Sequence, residues 1–470
     1  MDAATSTALL RNRTFDEIAI GDRASLTRTA STQDIALFAA VSGDMNPAHM
    51  DPHFAASDRF GHVVVHGMWT AALVSAVLGT RLPGPGTIYL GQELHFRRPV
   101  QPGDEVTATV EVVDKNAAKG EVRLATQCTL RDGTVVLSGL ATVLAPREHI
   151  EWPALQAPDV AVQRHDRYAH ALEQARKLGP VRTAVVHPCS PESLAAALEA
   201  RDEGLLDPVI VAPERRLRAL AEQAGLSLAG IAIEAVEHSH AAAQRGVELA
   251  VQGRVAALMK GSLHTDELLG AVVAPDSGLH TGRRISHVYA MDVPSYPKPL
   301  VITDAAINIA PTLEHKRDIC QNAVDLLHAV GVELPRVAVL AAVETVMPSM
   351  PATLDAAALT VMASRGQITG AMVDGPLAFD NAISLAAART KGIVSAVAGN
   401  ADILLVPNLE AGNMLAKQLI YLAEADAAGL AVGARVPIIL TSRADSLRVR
   451  LASVALARLA AARRTAAAAA

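Results

Sequence analysis

Hydrophobic and polar positions along the chain fall into two regimes. In the first, residues 20 to 30 alternate as a strand, and Ser31 or Thr32 then starts a helix carried by Ile35, Leu37, Phe38 and Val41 that ends near Gly43. A second helix is predicted from Met68 to about Leu82. Its run Trp69-Thr70-Ala71-Ala72-Leu73-Val74-Ser75-Ala76-Val77-Leu78 is apolar nearly all round, so this helix belongs in a core. Alternation resumes over Thr87 to Phe96, Glu105 to Val113, Glu121 to Leu130 and Thr134 to Leu144, with Asp132-Gly133 as a hairpin turn. This region reads as an α+β domain, an antiparallel sheet wrapping one buried helix.

From Pro146 to about Pro180 the pattern lapses into PREHIEWPALQAPDVAV and then a charged helix, HDRYAHALEQARKLG, which reads as a linker. Beyond Pro180 short strand candidates alternate with helical stretches: Arg182 to His187, Val209 to Ala212, Ala256 to Lys260, Val337 to Leu340, Ile403 to Pro407 and Pro437 to Thr441. That alternation predicts a doubly wound α/β domain with a mainly parallel sheet, long enough for two lobes around a cleft. The expected division is 1–146, a linker over 147–180, and 181–460. The tail RLAAARRTAAAAA has helix propensity but no apolar face, and no tandem repeat marks a solenoid.

Composition narrows the classes. At 470 residues the chain needs two or three domains, and half of it is hydrophobic. No uninterrupted apolar run reaches the roughly 18 to 20 residues of a membrane span. The first dozen residues lack the basic start and apolar stretch of a secretory signal, so a cytoplasmic location is expected. Cys128, Cys189 and Cys320 are widely separated and form no CxxC pair, the pattern of isolated core thiols. A net charge of −6 and 3% aromatic residues provide neither a basic footprint nor stacking platforms for nucleic acid.

The chemistry concentrates in two places. Near the start, Asp44-Met45-Asn46-Pro47-Ala48-His49 holds a carboxylate and an imidazole five residues apart, which on a helix would point roughly 140° away from each other. Pro47 interrupts any helix, so on a kinked loop the two can converge on one water, as general acid/base chemistry requires. Gly67, just before the buried helix, can offer a free N–H at a helix start, and lacks a side chain to block a close approach. His66, His62 and His53 have no carboxylate or thiolate at a usual zinc spacing, so no metal is expected. Arg97 and Arg98, before Pro99, could meet phosphates or cap a solvated strand end.

The stretch FAAVSGDMNPAHMDPHFA, followed by FGHVVVHGMWTAALVS and LHFRRPVQPGDEVTA, resembles the MaoC-like, (R)-specific enoyl-CoA hydratases, whose fold is the hot-dog. The resemblance covers about 145 residues. It implies that Asp44 and His49 hold the water that adds across a trans-2-enoyl thioester and that a backbone N–H, for which Gly67 is well placed, meets the developing enolate oxygen. The phosphates that Arg97 and Arg98 could meet would then be those of CoA.

From about Val181 to Leu451 the chain is similar to the phosphate acetyltransferase/phosphate butyryltransferase family. The similarity is carried by LMKGSLHTDELL, GLHTGRRISHVYAMDVPSYPKPLVITDAAINIAP, VETVMPSMPATLDAA, VDGPLAFDNAIS and SAVAGNADILLVPNLEAGNMLAK. It implies exchange of acyl groups between CoA and orthophosphate, with Asp402 as base and Ser395 donating a hydrogen bond to the tetrahedral intermediate. Phosphate needs cations or helix-start N–H groups; Arg283 and Arg284 are the best candidates, with Lys260 and Thr265 behind them. Gly412 could shape a CoA-binding turn or simply enter a helix. Many acetyltransferases carry an arginine where this chain has Ala396, and another where it has Gly270. Together these readings imply a two-activity enzyme acting on CoA thioesters, needing neither redox cofactor nor metal, and self-associating. The rivals are a transferase whose hot-dog domain only binds acyl-CoA or dimerises, an acyl-CoA sensor, and a dehydrogenase of the isocitrate type. For the last there is no GxGxxG after a strand.

Overall fold

The computed structural model describes residues 9–154, 160, 166–440 and 445–469, in two compact units, Met1–Val162 and Gln163–Ala470. The first unit contains strands β1 (Leu9–Arg11), β2 (Arg23–Thr29), β3 (Ile88–Phe96), β4 (Glu105–Asn116), β5 (Glu121–Leu130), β6 (Val135–Leu144) and β7 (Glu151–Pro153). Its helices are α1 (Thr32–Ser42), α2 (Pro47–Met50), α3 (Pro52–Ser57) and α4 (Gly67–Thr80). The main sheet runs β2-β4-β5-β6-β3, antiparallel throughout, and β1 pairs separately with β7.

Local chemistry explains the ends of α1. The Ser31 side chain accepts from the Asp34 N–H while the Asp34 carboxylate accepts from the Ser31 N–H, and Gly43 closes the helix at φ 74°. Helix α4 packs against the sheet, and Val74 and Val77 are fully buried in one core with Val106, Val110, Leu124 and Ala141. This is the antiparallel sheet around a buried helix that the alternation and the all-apolar helix predicted, and the hot-dog fold that the resemblance implied. Pro47 behaves differently from expectation. It does not kink a loop; with Asn46 as cap it occupies the first position of the short helix α2, where a missing N–H costs nothing.

The stretch read as a linker is partly structured. Glu151–Pro153 returns to β1, and the charged helix α5 (Ala169–Lys177) belongs to the second unit. Just before α5, the buried Tyr168 hydroxyl donates to the Ala290 and Asp426 carbonyls. The remaining strands are β8 (Val181–Val186), β9 (Leu206–Ala212), β10 (Ala232–Ala235), β11 (Ala257–Lys260), β12 (Ser286–Asp292), β13 (Leu300–Thr303), β14 (Arg336–Leu340), β15 (Met372–Leu377), β16 (Ile403–Leu405), β17 (Asp426–Val432) and β18 (Ile438–Ile439). Between and after them come α6 (Pro191–Asp202), α7 (Glu214–Gln223), α8 (Ser239–Val251), α9 (Thr265–Val273), α10 (Leu313–Ala329), α11 (Pro351–Ser364), α12 (Phe379–Ile383), α13 (Leu385–Thr390), α14 (Leu409–Leu422) and α15 (Leu447–Ala469).

These eleven strands form one mixed sheet, β10-β9-β8-β11-β18-β17-β12-β13-β16-β14-β15. Each flank is parallel within itself. Strand β17 is antiparallel to both β18 and β12, and β12 is antiparallel to β13. Three reversals separate the flanks, so they run in opposite senses. Burial pushes the Cys128 and Cys320 thiols up to about 12, and all three cysteines are buried and free, as core thiols should be. Among the described residues no helix is long and apolar enough to cross a membrane.

Candidate active sites

In the first unit the chain from 44 to 67 folds into one small constellation. Asp44 follows the Gly43 turn and is exposed; His49 sits half-buried on α2. The His49 Nδ1 lies 2.7 Å from the Val64 carbonyl, so Nδ1 carries the proton and Nε2 is left as the basic nitrogen. His66 joins them. One atom each from Asp44, His49 and His66 lie within 4.8 Å of one another, and the two imidazoles stack with centroids 4.0 Å apart. His62 and His53 are outside this group. In the sequence His66 has no carboxylate at a usual zinc spacing; the fold, through α2 and the start of α4, brings Asp44 to it.

Gly67 opens α4 and lines a cavity of about 300 Å³ together with His49, Phe96, Arg97 and Arg98. A methyl group at Gly67 would stand 2.9 Å from the Phe96 ring, so any larger residue there would have to displace that ring. The Arg97 Nε donates to the Ser138 hydroxyl at 3.1 Å, holding that guanidinium at the cavity wall. The predicted Asp44, His49, Gly67 and Arg97 are therefore brought together.

The second unit separates its predicted residues. A cavity of about 930 Å³ is lined by Thr265 and Gly270 of α9, by His280, Arg283 and Arg284, and by His315 and Asp318 of α10. The Arg284 Nε donates to the Asn308 side-chain Oδ1 at 2.8 Å, whereas Arg283 is ion-paired with Asp325. Lys260 ends β11 just before this wall, its ammonium within 3.3 Å of the Gly261 carbonyl. Gly270 has open space where a side chain would project, consistent with a position that could hold a longer residue.

Ser395 and Asp402 do not line this cavity. The Ser395 hydroxyl accepts from the Val397 and Ala398 N–H groups at 3.0 and 3.1 Å, an ordinary turn cap. Asp402 is buried, with one carboxylate oxygen 2.5 Å from the Lys298 ammonium and the other accepting from the Arg336 N–H at 2.7 Å. Both oxygens are already engaged in anchoring the start of β16. Strand register places Asp402 beside Leu300 and the far end of β12, while Arg284 precedes the near end. At about 3.3 Å per residue the five-residue step along β12 from Ser286 to Met291 alone separates the two levels by roughly 16 Å. Gly412 is no turn either: it is buried inside α14, where a Cβ would stand 2.9 Å from the Asp304 carbonyl.

Two further groups escaped the sequence reading. Asp304, 2% exposed at the end of β13, accepts from the N–H groups of His287, Ala306, Ile307 and Asn308 and from the Asn308 amide, which in turn holds Arg284. The signal was an Asp at the end of an apolar run with Asn four residues on. At the order β9-β8-β11 the sheet winds both ways from β8, the place where α/β sheets open a crevice at their strand ends. There His187 has φ 52°, and Ser262 donates to its carbonyl at 2.9 Å.

The family model described as phosphate acetyl/butaryl transferase matches residues 234–458, and that described as MaoC like domain matches residues 18–132. A phosphate acetyltransferase of Rhizobium meliloti is 57% identical over 316 residues, 67% of this chain and 97% of its own length. The chain belongs to the phosphate acetyl/butyryl transferase family. A MaoC-like domain precedes its transferase unit. A branched-chain phosphotransacylase from Enterococcus faecalis V583 is 30% identical with a TM-score of 0.53, covering 60% of this chain and 99% of its own. An R-hydratase from Pseudomonas aeruginosa is 41% identical over 33% of this chain and 99% of its own, with a TM-score of 0.32.

Proposed function

We propose that the chain carries two activities on CoA thioesters: hydration of trans-2-enoyl-CoA to (R)-3-hydroxyacyl-CoA in the MaoC-like unit, and exchange of acyl groups between CoA and orthophosphate in the transferase unit. The observation that carries the first is that Asp44 converges on His49, and His49 lines one cavity with the Gly67 helix start. A water held between the Asp44 carboxylate and the basic His49 Nε2 loses a proton to this pair as its oxygen bonds to C3. The proton is then returned to C2, and the Gly67 N–H supports the negative charge on the thioester oxygen between the two events. A purely acyl-CoA-binding domain would have no need of an imidazole whose tautomer is set by a backbone carbonyl.

The second activity rests on the near full-length match to phosphate acetyltransferases and on a cavity large enough for a CoA thioester, with Arg284 braced on its wall. Phosphate attacks the thioester carbonyl, and the CoA thiolate leaves. Arg284 neutralises part of the phosphate charge, and Gly270 leaves room that an arginine fills in many relatives of this family. Self-association of both units is part of the same proposal. The test is phosphate-dependent release of CoA from acetyl-CoA and butyryl-CoA, alongside hydration of crotonyl-CoA. A preparation that performs neither reaction contradicts the proposal.

A further inference from the structure

We infer that His66 is a positioning residue of the hydratase site, the tether that holds the acid/base pair in register with the N–H of Gly67. The inference rests on the hydratase reading. His66 is the residue before α4, where a side chain would ordinarily cap the helix, yet its imidazole makes no capping hydrogen bond. It reaches back instead, and its Nε2 lies 3.0 Å from the Asp44 carbonyl oxygen. A carbonyl only accepts, so Nε2 carries the proton and the bond runs from His66 to the backbone of Asp44.

The same ring stacks on His49 at 4.0 Å and on Phe38 at 5.0 Å. At 1% exposure it has no freedom to leave this position. One residue therefore touches the backbone of the acid, the face of the base, and by covalent adjacency the Gly67 N–H. The three groups that must act together come from a turn, a short helix and a helix start, and loops of this kind gain precision only when tied to a rigid element. Helix α4 is that element. The His66 Nδ1 is buried and makes no hydrogen bond to any described residue, so the ring's contribution is through Nε2 and its faces.

The test exploits side-chain length. The Gln amide nitrogen overlays the imidazole Nε2 and can donate to the Asp44 carbonyl, whereas the Asn amide overlays Nδ1 and falls short. His66→Ala and His66→Asn are expected to lower kcat for crotonyl-CoA hydration about a hundredfold with KM changed by less than about threefold, and His66→Gln to recover most of that loss. Hydrogen exchange of the 43–50 segment in the full chain should quicken in His66→Ala and stay near wild type in His66→Gln. Equal activity in the Asn and Gln variants, or exchange unchanged in His66→Ala, overturns the tether. Loss of wild-type hydration on chelation, restored by zinc, also overturns it, because the trio would then be a metal centre. An inactive wild type refutes the hydratase reading instead, and the exchange measurement still decides the tether.

Discussion

The two units build their sites from sequence in opposite ways. In the MaoC-like unit the proposed acid, base and oxyanion donor lie between Asp44 and Gly67, and two short helices and one turn bring Asp44, His49 and the residue before Gly67 within 4.8 Å of one another. In the transferase unit, the residues singled out from 260 to 412 are distributed along a sheet whose flanks run in opposite senses. Neighbourhood in a motif carried over to neighbourhood in space in the first case and failed in the second. What decides the outcome is whether the chain between the groups is local, or crosses strands whose direction must be known first.

The largest effects should separate the units. Asp44→Asn and His49→Ala should each lower crotonyl-CoA hydration about a thousandfold, and the double variant should be no worse, because the pair acts as one device. Steady-state rates of the three proteins check this; additive losses would break the pairing. In the transferase unit Arg284→Ala should raise the KM for phosphate about tenfold to a hundredfold. Gly270→Arg, which adds a cation to the same cavity, should lower that KM, while Ala396→Arg, beside the Ser395 turn cap, should leave it unchanged. A response at Ala396 but not at Gly270 would move the phosphate site to the other end of the sheet.

Asp402→Asn sharpens the same contrast. It should leave phosphate-dependent CoA release close to wild type and cost about 1 to 2 kcal/mol of unfolding free energy, since it removes the charge facing the Lys298 ammonium, which keeps its hydrogen bond to the Asn400 carbonyl. Denaturant titration with the activity assay distinguishes this from the catalytic role.

The centre of the sheet offers a pH test. Burial holds the His287 imidazole down at about 4, against about 6.5 in the unfolded chain. Below pH 6.5 the unfolded chain takes up a proton that the folded one refuses. Stability present above pH 6.5 should therefore be lost as the pH falls toward 4, and His287→Gln should flatten that slope. The smallest effect is Ser31→Ala, which removes the reciprocal cap on α1 and should cost about 1 kcal/mol in the MaoC-like unit, with hydration retained once folded.

The sequence was most informative where periodicity and caps agree. Helix α1 begins at Ser31 and stops at Gly43, β5 occupies Glu121–Leu130, and α4 is the buried helix, all as its pattern predicts. It was least informative at the middle of the second sheet. There β12, β13 and β17 went unpredicted because strands buried on both faces have no alternation, while the edge strands β10 and β15 are only four residues long or interrupted by Gly375-Pro376. β12 and β17 are the very strands that reverse the sheet. Without them Asp402 and Arg284 appear to share an edge. The His66 contact was hidden for another reason: its partner is a backbone carbonyl, to which any residue type at position 44 contributes equally.

The central claim is that one chain holds two independent thioester chemistries. Its most direct test is a two-by-two assay in which Asp44→Asn and Arg284→Ala, prepared as full-length protein, are each measured for crotonyl-CoA hydration and for phosphate-dependent CoA release. Each variant should lose one reaction and keep the other at near wild-type rate. A single substitution that depresses both reactions, or two substitutions that depress neither, would contradict the account.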